Sequence, residues 1–276
     1  MLLALEPLGE LPEPTVSHER LANLPSPRGE PQGMTFSFLV LLIPIGVTLL
    51  GGLAAVWWTP SDRIRSWTQH FAAGVVTAAL AVELLPAIEA KHRSAWVTLG
   101  SFAVAGGLMF CLKWLFTILD RRRARDDKPK RPLGLLVATG TDVLMDGLVI
   151  GIGFSNSRET GAALAIGLSA EMLFLGLAVA AELPESRPRW MPLVLTGGLS
   201  LALFAGAIGG ALALGSASDA VVAGGLAFGA AALLYLVTEE LLVEAHEGER
   251  EGPGGAAMLF LGFLLFWAIR RLTGSQ

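Results

Sequence analysis

The chain has 276 residues, 53% of them hydrophobic and only 16% charged, with a formal net charge of −4. Soluble domains carry about 25% charged residues, so this deficit, with a mean hydropathy of +0.60, points to a polytopic membrane protein. The small net charge does not suggest a nucleic-acid partner, and the single cysteine, Cys111, excludes an intrachain disulfide and a thiolate metal cluster.

Residues 1–34 form a polar tail rich in Pro and Glu, with the composition of a disordered segment. They lack the basic leader of a secretory signal. Met34 opens directly onto apolar sequence and is an alternative start. A membrane helix needs about 20 mostly apolar residues. The spans expected on that basis are 35–57, 67–88, 95–118, 133–155, 160–182, 190–214, 219–243 and 255–271, within a domain covering 35–272, with 273–276 as a tail. Small residues, namely Gly51-Gly52, Gly106-Gly107, Gly197-Gly198, Gly206 with Gly209-Gly210, and Gly224-Gly225, predict helices packed closely in lipid. Pro44 predicts a kink in the first span. Cys111 reads as a packing or lipid-facing residue, and Tyr235 and the tryptophans as packing residues or interfacial anchors.

The connection 120–132 holds seven basic residues and is therefore expected in the cytoplasm. With eight spans, both termini are then outside. The protein reads as integral to the plasma (cytoplasmic) membrane, with lipid as its surroundings and a homodimer as the candidate assembly.

The fourth span carries two aspartates, Asp142 and Asp146. Four residues apart on a helix, they share one face. Glu171 lies near the middle of the fifth span, Glu83 in the second, and Glu239 and Glu240 in the seventh, with Glu244 one turn beyond Glu240. Acids at membrane depth mark a functional site. No Arg or Lys lies on the fourth or fifth span at that depth. Lys113 is the one basic residue deep in a neighbouring span, and its long stem suits snorkelling to the cytoplasmic end. Clustered carboxylates repel by several kcal/mol per pair in a low dielectric, so they must be protonated or hold a cation. Oxygen ligands suit Mg²⁺, Mn²⁺, Ca²⁺ or Fe²⁺. The histidines, His18, His70, His92 and His246, fall in the tail, at a helix start or in loops, where surface or interface positions are expected. His246 is placed to join a metal relay at the cytoplasmic mouth.

Four stretches in order resemble the ZIP (Zrt/Irt-like) family of divalent-metal transporters, over about residues 36–271. Phe71 to Glu83-Leu84-Leu85-Pro86 resembles the family segment ending His-Leu-Leu-Pro. Asp142-Val143-Leu144-Met145-Asp146-Gly147 resembles His-Asn-Phe-Pro-Glu-Gly. Ala165 to Glu171 falls where the fifth helix supplies ligands, and Tyr235 to Ala245 resembles Tyr-x-x-x-His-Glu-Leu-Leu-Pro-Glu-Ala. The resemblance implies an all-α, eight-helix bundle with an inverted repeat of helices 1–3 and 6–8 around helices 4 and 5. It also implies a metal path between helices 2, 4, 5 and 7. The short likeness of Val82–Pro86 to Glu239–Val243 fits such a repeat.

The departures from the family are specific. Asp142 stands at a His position, Val143 at Asn, Asp146 at Glu, and Glu171 at His or Gln. Met172 and Leu175 occupy ligand positions, and the sixth span has no acid. The expectation is a divergent transporter that carries a divalent cation, of the Zn, Mn or Fe class, into the cytoplasm by alternating access. A single site of Asp142, Asp146 and Glu171 has Met172 as a candidate soft neighbour, and Glu83, Glu239, Glu240 and Glu244 line the route. Two other classes fit less well: a proton- or Na⁺-coupled carrier using the acids as a relay, and an intramembrane transferase holding Mg²⁺ for a diphosphate substrate. The transferase lacks basic residues at the site to grip a phosphate.

Overall fold

Eight helices follow one another among the described residues of the computed structural model, which are 31–58, 60–91, 95–125, 133–181, 188–247 and 254–273. They are α1 (Pro31–Ala54), α2 (Asp62–Glu89), α3 (Ala95–Arg125), α4 (Leu133–Asn156), α5 (Arg158–Ala181), α6 (Met191–Leu214), α7 and α8 (Gly254–Thr273). Helix α7 runs from Asp219–Leu236 through Val237–Leu241 into Leu242–Glu247. No strand occurs among the described residues. Six of the helices contain stretches long and apolar enough to cross a membrane, and α1 contributes a shorter one, Leu39–Ala54. Only helices can satisfy every backbone group inside hydrocarbon without neighbours, which is why apolar runs of this length fold this way.

Several boundaries differ from the sequence expectation. Helix α1 begins at Pro31, ahead of the apolar run, and residues 1–30 lie outside the described residues. Helix α3 continues past its apolar stretch, Ala95–Leu115, to Arg125. The first six residues of the basic connection are therefore helical, as suits arginine, a good helix former; 126–132 lie outside the described residues.

The packing repeats itself. Helix α1 packs on α5 as α6 packs on α4, α8 on α2 as α3 on α7, and α2 on α5 as α7 on α4. Exchanging α1 with α6, α2 with α7, α3 with α8 and α4 with α5 returns the same contacts, which is the inverted repeat that the family resemblance implies. Helices α2 and α7 run antiparallel. Lys91, just past α2, lies 3.5 Å from Asp219 at the start of α7, and at the other end His70 of α2 meets His246 of α7.

The repeat extends to local backbone. Both α2 and α7 contain a five-residue π-helical turn, Leu80–Leu84 and Val237–Leu241, starting 157 residues apart. In each, an amide reaches back five residues, from Leu85 to Leu80 and from Leu242 to Val237. Ser61-Asp62 and Ser218-Asp219, Phe71 and Phe228, and Glu83-Leu84-Leu85 and Glu240-Leu241-Leu242 share that offset. Such turns inside helices concentrate at functional sites, and both hold acids here.

The helices sort into two groups. Helices α1, α4, α5 and α6 pack on one another, and α2, α3, α7 and α8 form the other set. Within the second set α2 and α7 are inner helices: the apolar stretch of α7 is 67% buried, against 11% for α3 and 17% for α8. Trp96, Phe110, Trp114, Phe260 and Trp267 project from the two outer helices, as lipid-facing residues do.

Without a hydrophobic drive between helices in lipid, close backbone packing holds such groups together. A Cβ on Gly147 would run into the carbonyl of Leu203, and one on Gly206 into the carbonyl of Leu144, so α4 and α6 touch backbone to backbone. Gly209, on the same helix α6, has open space around it. Gly206→Ala is therefore expected to lower stability in detergent by about 1–3 kcal/mol, the usual cost of overpacking, while Gly209→Ala leaves it unchanged or raises it. Thermal unfolding of the two variants side by side checks this.

Candidate metal site

Helices α4 and α5 each have 24 residues, and Asp146 and Glu171 are each the fourteenth. The exchange that relates the two halves of the bundle therefore pairs these two acids, and both are buried. One turn before Asp146, Asp142 is half-buried on the same helix. From α7, the half-buried Glu240 comes within electrostatic reach: the charges acting on Asp146 are those of Asp142 and Glu240, both negative. The Oδ2 atom of Asp146 is buried and has no hydrogen-bond partner. A buried carboxylate oxygen left unsatisfied costs free energy. Met172 is fully buried beside Glu171 in sequence.

Among the described residues no three His, Cys, Asp or Glu side chains approach closely enough to grip one metal ion. The expected trio of Asp142, Asp146 and Glu171 is thus distributed over two packed helices without closing into a ligand cage. The side chain of Glu244 lies outside the described residues.

The two remaining acids of the expected path are engaged by cations from the outer helices. Glu83, almost completely buried, accepts two bonds from Arg270 of α8, one from Nε and one from Nη2, the latter at 3.2 Å. Glu239 accepts a bond from Lys113 of α3 at 2.5 Å. Lys113 also bonds the Glu239 carbonyl at 3.4 Å and sits 5.9 Å from the centre of the Tyr235 ring. Lys113 is exposed, and its ammonium lies against a carboxylate and an aromatic face.

Lys113 and Arg270 are themselves 157 residues apart. The repeat therefore matches the two cations on the outer helices, and each meets a carboxylate in the π-helical turn of the inner helix, although Glu239 stands one residue before Glu240, the counterpart of Glu83. The pairs lie toward opposite ends of the antiparallel α2 and α7. A groove of about 440 Å³ between α5 and α8, lined by Arg158, Glu159, Ile166 and Phe266 among others, reaches Arg270 but not the acids of α4.

Two residues stand apart from their sequence reading. Arg270, one of the two arginines closing the last span, has no site role in the sequence, yet it folds onto Glu83. His70 reads as a surface or interface histidine at a helix start, yet it is 4% exposed within α2. The sole sequence signal for Arg270 was its shared offset with Lys113.

No family model matches the chain. The zinc transporter GufA of Myxococcus xanthus is similar to it, with 38% identity over 128 residues, 44% of this chain and 47% of GufA. That similarity supports the resemblance of the chain to the ZIP-like transporters. The match spans about half the length of that relative. The carboxylates are carried by helices that pack as the family resemblance implies.

Proposed function

We propose that this ZIP-like protein moves a divalent metal cation of the Zn, Mn or Fe class across a membrane, along the interface where α4 and α5 meet α2 and α7. The observation that carries the reading is the buried, unsatisfied Oδ2 of Asp146 in a field set by Asp142 and Glu240. Such a site attracts a cation, and the functional name of GufA supports a metal as that cation. Asp142, Asp146 and Glu171 form the transport site, with Met172 alongside. Glu240 approaches from the opposing helix group. Glu83 and Glu239 guard the route toward its two ends, each held by a cation of the protein, and Glu244 and His246 continue it on the α7 side.

Transport by alternating access follows from this placement. Acids on α4 and α5 belong to one helix group, and those on α2 and α7 to the other. A small displacement between the groups changes which carboxylates complete the ion's shell, and a midplane site between rigid repeats suits that motion. The proposed direction is into the cytoplasm, the side on which 120–132 is expected.

Uptake of radiolabelled zinc, manganese and iron into proteoliposomes tests the proposal. The wild type is expected to accumulate at least one of them well above the Asp142→Ala/Asp146→Ala double variant. Equal uptake by the two for every metal sinks it. A proton or Na⁺ flux that needs the same aspartates and no metal favours the relay reading.

A further inference from the structure

His70 and His246 meet where the early part of α2 passes the last turn of α7, with ring centroids 5.1 Å apart and planes inclined at 60°. Each ring directs its Nδ1 at a carbonyl four residues earlier in its own helix, Ser66 at 2.9 Å and Leu242 at 2.5 Å. A carbonyl only accepts, so Nδ1 carries the proton in both neutral rings, and each Nε2 keeps its lone pair. Proteins prepare metal-binding imidazoles in this way, since the backbone bond fixes both tautomer and ring orientation. Metal–nitrogen bonds of about 2.0–2.1 Å at a tetrahedral angle put two ligating imidazole centroids roughly 5 Å apart, which is the spacing observed. His246 is exposed and His70 buried, so an ion reaches the pair from one side.

The pair also breaks the repeat. The residues 157 positions away are Glu89 and Ala227, so the repeat-equivalent positions carry no imidazole. The pair thus departs from the two-fold pattern among the described residues.

We infer that His70 and His246 form a two-imidazole docking site for a borderline-soft divalent cation, with water completing its shell. Imidazole suits Zn²⁺ and its neighbours, whereas Mg²⁺ and Ca²⁺ take oxygen. Two protein ligands hold such an ion weakly, as a transfer point requires. As a step in transport this rests on the metal-transport reading; as a binding site it stands without it.

The test uses the full chain in detergent, carrying Asp142→Asn and Asp146→Asn so that the midplane site is silenced. Zinc is added below one equivalent and its X-ray absorption fine structure is recorded. The expected spectrum shows outer-shell scattering from two imidazoles. His246→Ala, a change at an exposed position, abolishes that signature and weakens zinc binding by roughly tenfold or more, and His70→Gln, which retains a polar side chain, leaves one imidazole. Excess Mg²⁺ does not displace the zinc. A spectrum without imidazole scattering, or one unaltered by His246→Ala, overturns the inference and leaves the transport reading standing. Absence of metal uptake by the wild type, with the imidazole signature intact, overturns the transport reading alone.

Discussion

Asp146→Asn is expected to cut metal uptake to below roughly one-tenth of the wild-type rate, a loss equivalent to about 1.4 kcal/mol or more, while leaving the protein as stable or more stable. The two halves of that expectation have one cause. In the absence of metal, Asp146 is buried, its Oδ2 has no hydrogen-bond partner, and the charges around it are negative. Removing its charge takes away repulsion within the fold, and Asn occupies nearly the same volume. With metal, the same substitution removes an anionic ligand from the centre of the path. A residue kept for structure would behave in the opposite way, losing stability and losing uptake only through unfolding. Thermal unfolding in metal-free detergent and initial uptake rates in proteoliposomes, on the same preparation, separate the two. Uptake at the wild-type rate with Asn at 146 would remove Asp146 from the transport site.

Glu171→Gln provides the companion result. Glu171 occupies in α5 the place that Asp146 occupies in α4, so a site lying on the pseudo-two-fold axis requires both. The expected loss of uptake is again roughly tenfold or more. An unaffected rate would move the ion off the axis, toward Asp142 and Glu240.

The order of the spans was legible because hydropathy over 20 residues is a property of composition, and lipid tolerates little else. The acids of α4 and α5 were legible for the same reason in reverse: a charge in an apolar run stands out wherever the helix ends fall. Pairings across the bundle were not legible. Glu83 and Arg270 are separated by 187 residues, and Arg270, next to Arg271 at the end of the last span, is indistinguishable in sequence from an orientation signal. The π-helical turns were hidden too, since they follow from how α2 and α7 pack and not from a residue type; Glu-Leu-Leu at both is their only trace. His70 shows the limit most plainly. A single imidazole nine residues into a helix has no meaning until the last turn of α7 is laid against it.

Arg270→Ala is expected to destabilise the protein by about 3 kcal/mol, whereas Lys113→Ala, at the equivalent position of the other half, costs about 1 kcal/mol or less. The repeat makes the two cations counterparts and sets each beside a carboxylate of a π-helical turn, but burial makes the pairs energetically unequal. The Glu83 side chain is 2% exposed and that of Arg270 32%, against 48% for both Lys113 and Glu239. Truncating Arg270 strands a carboxylate in the interior, the situation in which breaking a buried pair costs about 3–5 kcal/mol; the partial exposure of Arg270 sets the expectation at the low end. Water and counter-ions replace Lys113 at little cost. Glu83→Gln added to Arg270→Ala should recover most of the loss, because the stranded charge is gone. Thermal unfolding of the single and double variants measures each term, and a double variant no more stable than Arg270→Ala alone would show that the arginine acts through packing and not through Glu83. The inequality also bears on transport. On the proposed route, a cation arriving at the Arg270 end would compete with the guanidinium for the buried Glu83, whereas one arriving at the Lys113 end would displace an exposed partner of Glu239 at smaller cost.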